Sequence, residues 1–147
     1  MGYISNEDIE LRLGSTAYVQ LTDDEGTGVA SEPILSEARR GAEGEVDSYL
    51  ARRHRVPIDL TRHPELSGLL ATATLDVVEY RLHSRRPPVP EDVGTRYSGA
   101  LKWLAQVAVG EVALPSATTL PANDATGVTA QVVGNAAGLS REELDGL

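Results

Sequence analysis

The residues with the clearest chemical potential lie in an acidic, glycine-rich segment, Asp23-Asp24-Glu25-Gly26-Thr27-Gly28. Asp23, Glu25 and Thr27, followed by Gly28, approximate the first half of an EF-hand calcium loop. The last position of such a loop requires a bidentate Glu, but Ile34 stands there and Glu32 falls two residues early. The other interpretation is a solvated loop whose acids precede a helix N-terminus, where negative charge is favourable.

Other residue types give little sign of a reaction centre. The three histidines, His54, His63 and His83, lie near predicted helix ends, and none forms a two-His helical pair or completes a zinc set. The chain has no Cys, which excludes disulfides and thiolate ligands. It also has no Gly-x-Ser-x-Gly elbow and no phosphate-binding glycine loop. We therefore predict a protein that is not an enzyme and that holds no metal or cofactor.

Two arginine clusters stand where predicted helices end, Arg52-Arg53-Arg55 and Arg81-Arg85-Arg86. One interpretation is that they compensate the negative ends of the helix dipoles. The other is that they pair with acids of a neighbouring subunit. In that case Arg52 and Arg53 are candidates to meet Asp23 and Asp24 of the next copy.

The elements that would carry these residues are helices. We predict helices over residues 5–13, 32–54, 64–84 and 90–109, and an added helical turn between Ser15 and Thr22. Ser5 with Asp8 forms a capping box, Pro57 blocks the second helix, Pro64 suits a first helical position, and Gly14 and Gly110 are stop signals. The predicted fold class is all-α: a small four-helix domain over residues 1–112, with an extended arm over residues 113–147.

Two of the predicted helices have apolar residues outside their main apolar stripe. In the third helix, one stripe is Leu66, Leu69, Leu70, Ala73, Val77 and Tyr80. Leu75, Val78 and Leu82 occupy another side, which predicts either a central helix or a face shared with a neighbour. In the fourth helix, Trp103 and Val107 are displaced from the main stripe. Trp103 either covers the edge of its own core or anchors an interface.

The segment after residue 113 differs in composition from the helical part. Between Pro115 and Gly138 it has a single charged residue, Asp124, and is rich in Ala, Thr, Gly and Pro. Residues 128–133 can form a strand only with a partner, and Ser140 with Glu143 makes a capping box for a short terminal helix. We expect this arm to become ordered on assembly through Val128, Val132, Val133, Leu144 and Leu147.

Several short motifs resemble a family of small proteins from Mu-like phages and prophages. They are, in order, Arg12-Leu13-Gly14; Gln20-Leu21-Thr22-Asp23 with the acidic loop; Tyr49-Leu50-Ala51-Arg52 with Pro57, one residue later than in the family; Tyr80-Arg81-Leu82; and Arg96-Tyr97-x-x-Ala100-Leu101-x-Trp103-Leu104. The resemblance covers about residues 3–112, and residues 139–147 look like a recurring family C-terminus.

This resemblance implies a head–tail connector, or ring adaptor, of a long-tailed phage. It implies a homo-oligomeric ring, typically of twelve, between the portal protein and the next neck or tail-completion protein, in a virion assembled in the host cytoplasm. The net charge of −9 argues against sequence-independent DNA binding, so we expect DNA to pass through the lumen without specific binding. No apolar run is long enough to cross a bilayer and no signal peptide is visible, so we expect no membrane partner. The alternative is a regulatory calcium- or partner-binding helical module.

Overall fold

A computed structural model describes residues 2–115, and this part of the chain is all-α, as predicted. It has five α-helices rather than four, because Ser15–Thr22 forms a helix of its own instead of a single added turn. The elements are α1 (Asn6–Leu13), α2 (Ser15–Thr22), α3 (Glu32–Leu50), a 3-10 turn (Pro64–Leu66), α4 (Ser67–Ser84) and α5 (Glu91–Val109).

Local signals set most helix ends. The Ser5 side chain accepts a hydrogen bond from the Asp8 amide, and the Asp8 carboxylate accepts one from the Ser5 amide, which completes the predicted capping box. Gly14 ends α1 and Gly110 ends α5, both with a positive φ that favours glycine. These residues confirm the boundaries expected from the sequence.

Helix α3 ends at Leu50, earlier than the predicted residue 54. The amides of Arg53 and His54 both bond to the Leu50 carbonyl, so the chain tightens into a turn there. His54 is buried by this turn instead of continuing an exposed helix end. The arginines that follow Leu50 therefore lie on a loop rather than on the last turn of a helix.

Helix α4 is the centre of the fold and contacts each of the other four α-helices. Two ion pairs show that α4 runs antiparallel to α3: Arg81 pairs with Glu45 on α3, and Arg85, further along the chain, reaches the loop that precedes α3. The arginine side chain of Arg53 lies against Gly110, so α3 and α5 end on the same side of the bundle. We call that side, with the 51–63 loop, the basic end.

The central position of α4 corrects part of the predicted contact surface. Val78 and Leu82 are 1% and 0% exposed on a helix that is contacted by all four other α-helices. Val107 on α5 is 1% exposed. These three side chains belong to the core of the subunit and are not available to a neighbour. Leu75 and Trp103 are only partly buried against the same core.

The first residues are tied into the bundle. The Tyr3 hydroxyl donates to the Asp47 carboxylate and accepts from the Ile58 amide at 2.9 Å, while the Tyr3 amide donates to Glu43 at 2.8 Å. Tyr3 thereby joins α3 to the 51–63 loop. Burial, with the bond to Tyr3 opposing it, raises the pKa of Asp47, and burial raises the pKa of the Tyr3 hydroxyl.

The predicted arm falls almost entirely outside residues 2–115. Leu114 still packs in the core, and the strand and terminal-helix predictions at Val128, Val132, Val133, Leu144 and Leu147 lie beyond the described part. Within the described residues, no helix is both long and apolar enough to span a bilayer.

Candidate assembly interface

A shallow apolar groove runs along the surface between α4 and α5. It is lined by Leu69, Thr72, Ala73 and Asp76 of α4 and by Arg96, Gly99, Ala100 and Trp103 of α5. We call this the α4–α5 groove.

Side-chain size explains why the groove is open. Gly99 and Ala100 on α5 face Thr72 and Ala73 on α4, so the two helices present little bulk along the middle of the groove. Leu69 belongs to the predicted apolar stripe of α4, but it is 44% exposed and lies at the groove rather than in the core.

Trp103 lies at the same groove and is partly buried against the core. One part of the indole covers the core edge, which was the first alternative, and another part faces the groove, while its role as an interface anchor stays a prediction. Large aromatic side chains in such positions are common anchors of protein interfaces. Three other large apolar side chains are exposed among residues 2–115, namely Leu11, Val29 and Val109.

An ion-pair network closes one end of the groove and ties three helices together. Glu79, which is buried on α4, accepts from Arg12 of α1 and from Arg96 of α5, each at 3.0 Å. Arg12 also reaches Asp76 at 2.8 Å, and Arg96 reaches Asp92 one turn earlier on α5 at 3.0 Å. Charge-assisted pairs of this kind fix helix positions. We call these five residues the Glu79 network, which the sequence analysis missed.

A second polar contact joins α3 to α5. The Tyr97 hydroxyl donates to Glu45 at 2.8 Å, Arg81 pairs with the other Glu45 oxygen at 3.0 Å, and the Tyr97 ring stacks on Tyr80 with centroids 4.0 Å apart. Burial, then the bond to Glu45, raises the pKa of Tyr97 to about 12. The two tyrosines of the sequence motifs thus hold helices together.

The two arginine clusters have different environments. Arg81, Arg85 and Arg86 all pair with carboxylates of their own subunit. Arg52, Arg53, Arg55 and Arg62 at the basic end are exposed, and within residues 2–115 none of them forms an ion pair. Among the described residues, this end therefore presents a group of exposed arginines without salt bridges, of which Arg62 is near enough to Asp59 to help lower the pKa of that carboxyl.

The acidic loop is engaged inside the subunit. The Asp23 carboxylate accepts from the Thr27 amide at 2.9 Å and the Gly28 amide at 2.6 Å, which lowers its pKa. Asp24 pairs with Arg85 and Arg86, and the bond from Arg85 contributes most to its lowered pKa. Asp24 thus already has two arginine partners within its own chain, and its pairing with a neighbour's arginines stays a prediction.

The same geometry bears on calcium. A calcium ion bound by Asp23 would have to replace the hydrogen bonds that both carboxylate oxygens accept from amides of the loop. Over residues 2–115, no cluster of three or more His, Asp or Glu side chains is placed to hold a metal. His54 is buried, and His63 lies 3.8 Å from Glu65 near the start of α4.

The comparison with protein families shows the family to which the chain belongs. The profile described as "Bacteriophage Mu, Gp36" matches residues 3–132, which is most of the chain. The chain belongs to the bacteriophage Mu Gp36 family. Membership confirms the resemblance to Mu-like phage proteins and indicates a virion-associated structural or morphogenesis protein. A search of curated proteins gave no match.

The motifs that carried the resemblance to the Gp36 family have structural roles here. Arg12 enters the Glu79 network, and Gly14, with φ of +85°, turns the chain directly from α1 into α2. Arg96 belongs to the same network and Trp103 lines the groove. The motif residues thus position the α4–α5 surface.

Proposed function

We propose that this Gp36-family protein is a head–tail connector: an adaptor subunit that forms a closed ring between the portal and the tail of a phage particle. The observation that carries the proposal is the α4–α5 groove, an apolar surface left open on a bundle whose other helix contacts are braced by internal ion pairs. Subunits that assemble around a ring need such a surface.

The mechanism is geometric. Neighbours in a ring meet through two different patches, so the groove of one copy receives a different apolar surface of the next. Leu69 and Trp103 supply the apolar centre of that contact, and the Glu79 network keeps α4 and α5 at a fixed separation. One repeated head-to-tail contact closes into a ring when the rotation between neighbours divides a full turn, and twelve copies is the expected number.

The exposed arginines of the basic end support the proposal that another protein binds at one rim of the ring. Arg52, Arg53, Arg55 and Arg62 are exposed on a chain that carries a net charge of −9, so they favour a carboxylate-rich protein surface at one rim of the ring. In this arrangement the portal or the next neck protein contacts the rim, and DNA passes through the lumen without specific binding. The regulatory calcium module has less support, because Asp23 and Asp24 are already engaged.

The native mass tests the proposal. Sedimentation velocity and negative-stain electron microscopy of the full chain, alone and mixed with the portal protein of the same phage genome, should give rings in at least the mixture. A protein that stays monomeric in both conditions would refute the adaptor role. A reduction of assembly by Leu69→Asp but not by the control Leu11→Asp, which changes a more exposed leucine on α1 (78% against 44% exposed), would support a contact at the groove.

A further inference from the structure

We propose that residues 139–147 of the same chain cover the α4–α5 groove in the free subunit. The groove leaves Leu69 44% exposed beside a partly exposed Trp103. Exposed apolar surface of this kind promotes non-specific association in a protein that must wait for its partners. This inference does not depend on the adaptor role, because it concerns the subunit before assembly.

The sequence of the segment, Leu-Ser-Arg-Glu-Glu-Leu-Asp-Gly-Leu, suits a groove between two helices. Ser140 and Glu143 predict a short helix through their capping-box spacing. Leu144 and Leu147 are three residues apart and fall on one face of that helix. Recognition of an amphipathic helix by an apolar groove is a common docking mode.

The lengths agree. A helix from residue 140 to 147 is about 12 Å long at 1.5 Å per residue. Along α4 the groove runs from Leu69 to Asp76, and along α5 from Arg96 to Trp103, a distance of about 10 Å on each helix. Thr72 and Gly99, both exposed in the middle of the groove, leave space for leucine side chains.

Charge favours the same pairing. Residues 139–147 contain three acids and one arginine. Next to Trp103, the exposed Lys102 forms no ion pair within residues 2–115. The apolar contact would supply most of the affinity and Lys102 a weak electrostatic preference.

Tethering decides between the chain's own segment and that of another copy. Twenty-three residues, 116–138, lie between position 115 and position 139, and a linker rich in Gly, Ala, Ser and Thr of that length has an end-to-end distance of roughly 25–30 Å. A tether of this length gives the two ends an effective concentration of about 1 mM. At micromolar protein the segment of the same chain therefore outcompetes a neighbour's, and assembly must displace it.

Trp103 is the only tryptophan in the chain, so its fluorescence reports directly on the groove. The full-length variant Leu144→Asp/Leu147→Asp should move the emission maximum to longer wavelength and increase quenching by acrylamide, while the helicity by circular dichroism falls by no more than the eight residues of the terminal helix. Val132→Asp/Val133→Asp adds the same charges to the same part of the chain and should behave like the wild type. In the wild type, dilution by about 100-fold should leave the emission unchanged, because a tethered contact does not depend on concentration.

Three outcomes would overturn the inference. Equal emission and quenching of the wild type and the Leu144/Leu147 variant would show that the segment does not cover the groove. An equal effect of the Val132/Val133 control would remove the assignment to residues 139–147. Emission that changes on dilution, or that recovers when the Leu144/Leu147 variant is mixed with Leu69→Asp, would assign the contact to another copy. Ring formation by the wild type in any of these cases would leave the adaptor role standing.

Discussion

The Glu79 network gives the most direct test of how this bundle is held. Glu79→Gln removes the negative charge from a buried side chain that receives one guanidinium on each oxygen. The glutamine carbonyl can keep one of these bonds, but its amide group, itself a donor, then faces the other guanidinium.

The expected loss can be estimated from the two bonds. A hydrogen bond to a charged group contributes about 1.5–3 kcal/mol, and an unpaired buried partner adds a penalty. The side chains of Arg12 and Arg96 are 24% and 40% exposed, so water replaces part of what is lost. We expect Glu79→Gln to lower the free energy of unfolding by about 2 kcal/mol, which corresponds to a fall in Tm of about 8 °C for a domain of this size.

Urea unfolding followed by circular dichroism at 222 nm measures this change, with an unchanged m value as the check on two-state behaviour. The matched control is Asp92→Asn, which removes the same charge from the same Arg96 but at a side chain that is 71% exposed. Exposed pairs one helical turn apart contribute little, so this variant should unfold like the wild type. Equal destabilisation by both variants, or none by Glu79→Gln, would refute the view that the buried network braces α1, α4 and α5.

Three further predictions concern other parts of the molecule. The folded pKa of Tyr97 is about 12, against 10.0 for an ordinary tyrosine, so its contribution to stability is complete below pH 10 and is lost as the pH rises toward 12. Tyr97→Phe should therefore remove one late-ionising group from the alkaline absorbance titration at 295 nm. An unchanged titration would contradict the assignment. Arg52→Glu/Arg53→Glu should leave the Tm nearly unchanged but weaken binding to the portal or neck partner and reduce its salt dependence, whereas intact, salt-sensitive binding would exclude the basic end as a contact. Calorimetric titration with calcium should give no submillimolar binding; such binding, abolished by Asp23→Ala, would restore the calcium interpretation of the loop.

Local sequence signals predicted the helices well because their causes are local. The Ser5 capping box and the stops at Gly14 and Gly110 depend on residues within one turn of each other. The same reasoning missed α2 as a separate helix. Gly14 stops one helix and caps the next, and nothing between Ser15 and Thr22 carries a strong periodic stripe.

Tertiary features were harder to predict, since they depend on residues far apart in sequence. Arg12 and Glu79 are separated by 67 positions, and either of them alone looks like a solvated charge. The apolar residues of α4 predicted a central helix or a shared face, and α4 is central in the structure, with Val78 and Leu82 buried.

The groove shows that an apolar stripe in the sequence does not reveal which of its residues are buried. Leu69 shares its helical row with buried residues, yet it is exposed because its neighbours across the gap, Gly99 and Ala100, are too small to cover it. A search for small residues on α5 opposite large ones on α4 would have found this, but it requires knowing which helices pair. Trp103, singled out from the sequence for its displacement from the main stripe, is partly buried at the edge of the core and lines the groove.

The shared direction of α3 and α5 gives the subunit an electrical polarity. Both helices finish beside Arg52, Arg53, Arg55 and Arg62, while the loop carrying Asp23, Asp24 and Glu25 lies at the opposite pole. In a circle of equally oriented copies, one rim would become a continuous positive collar and the other a predominantly negative one. A copy inserted upside down would set its arginines among its neighbours' acids and leave a gap in each collar. The ring would then present a distinct top and bottom to whatever docks on it, and stacking partners could tell the two apart by charge alone.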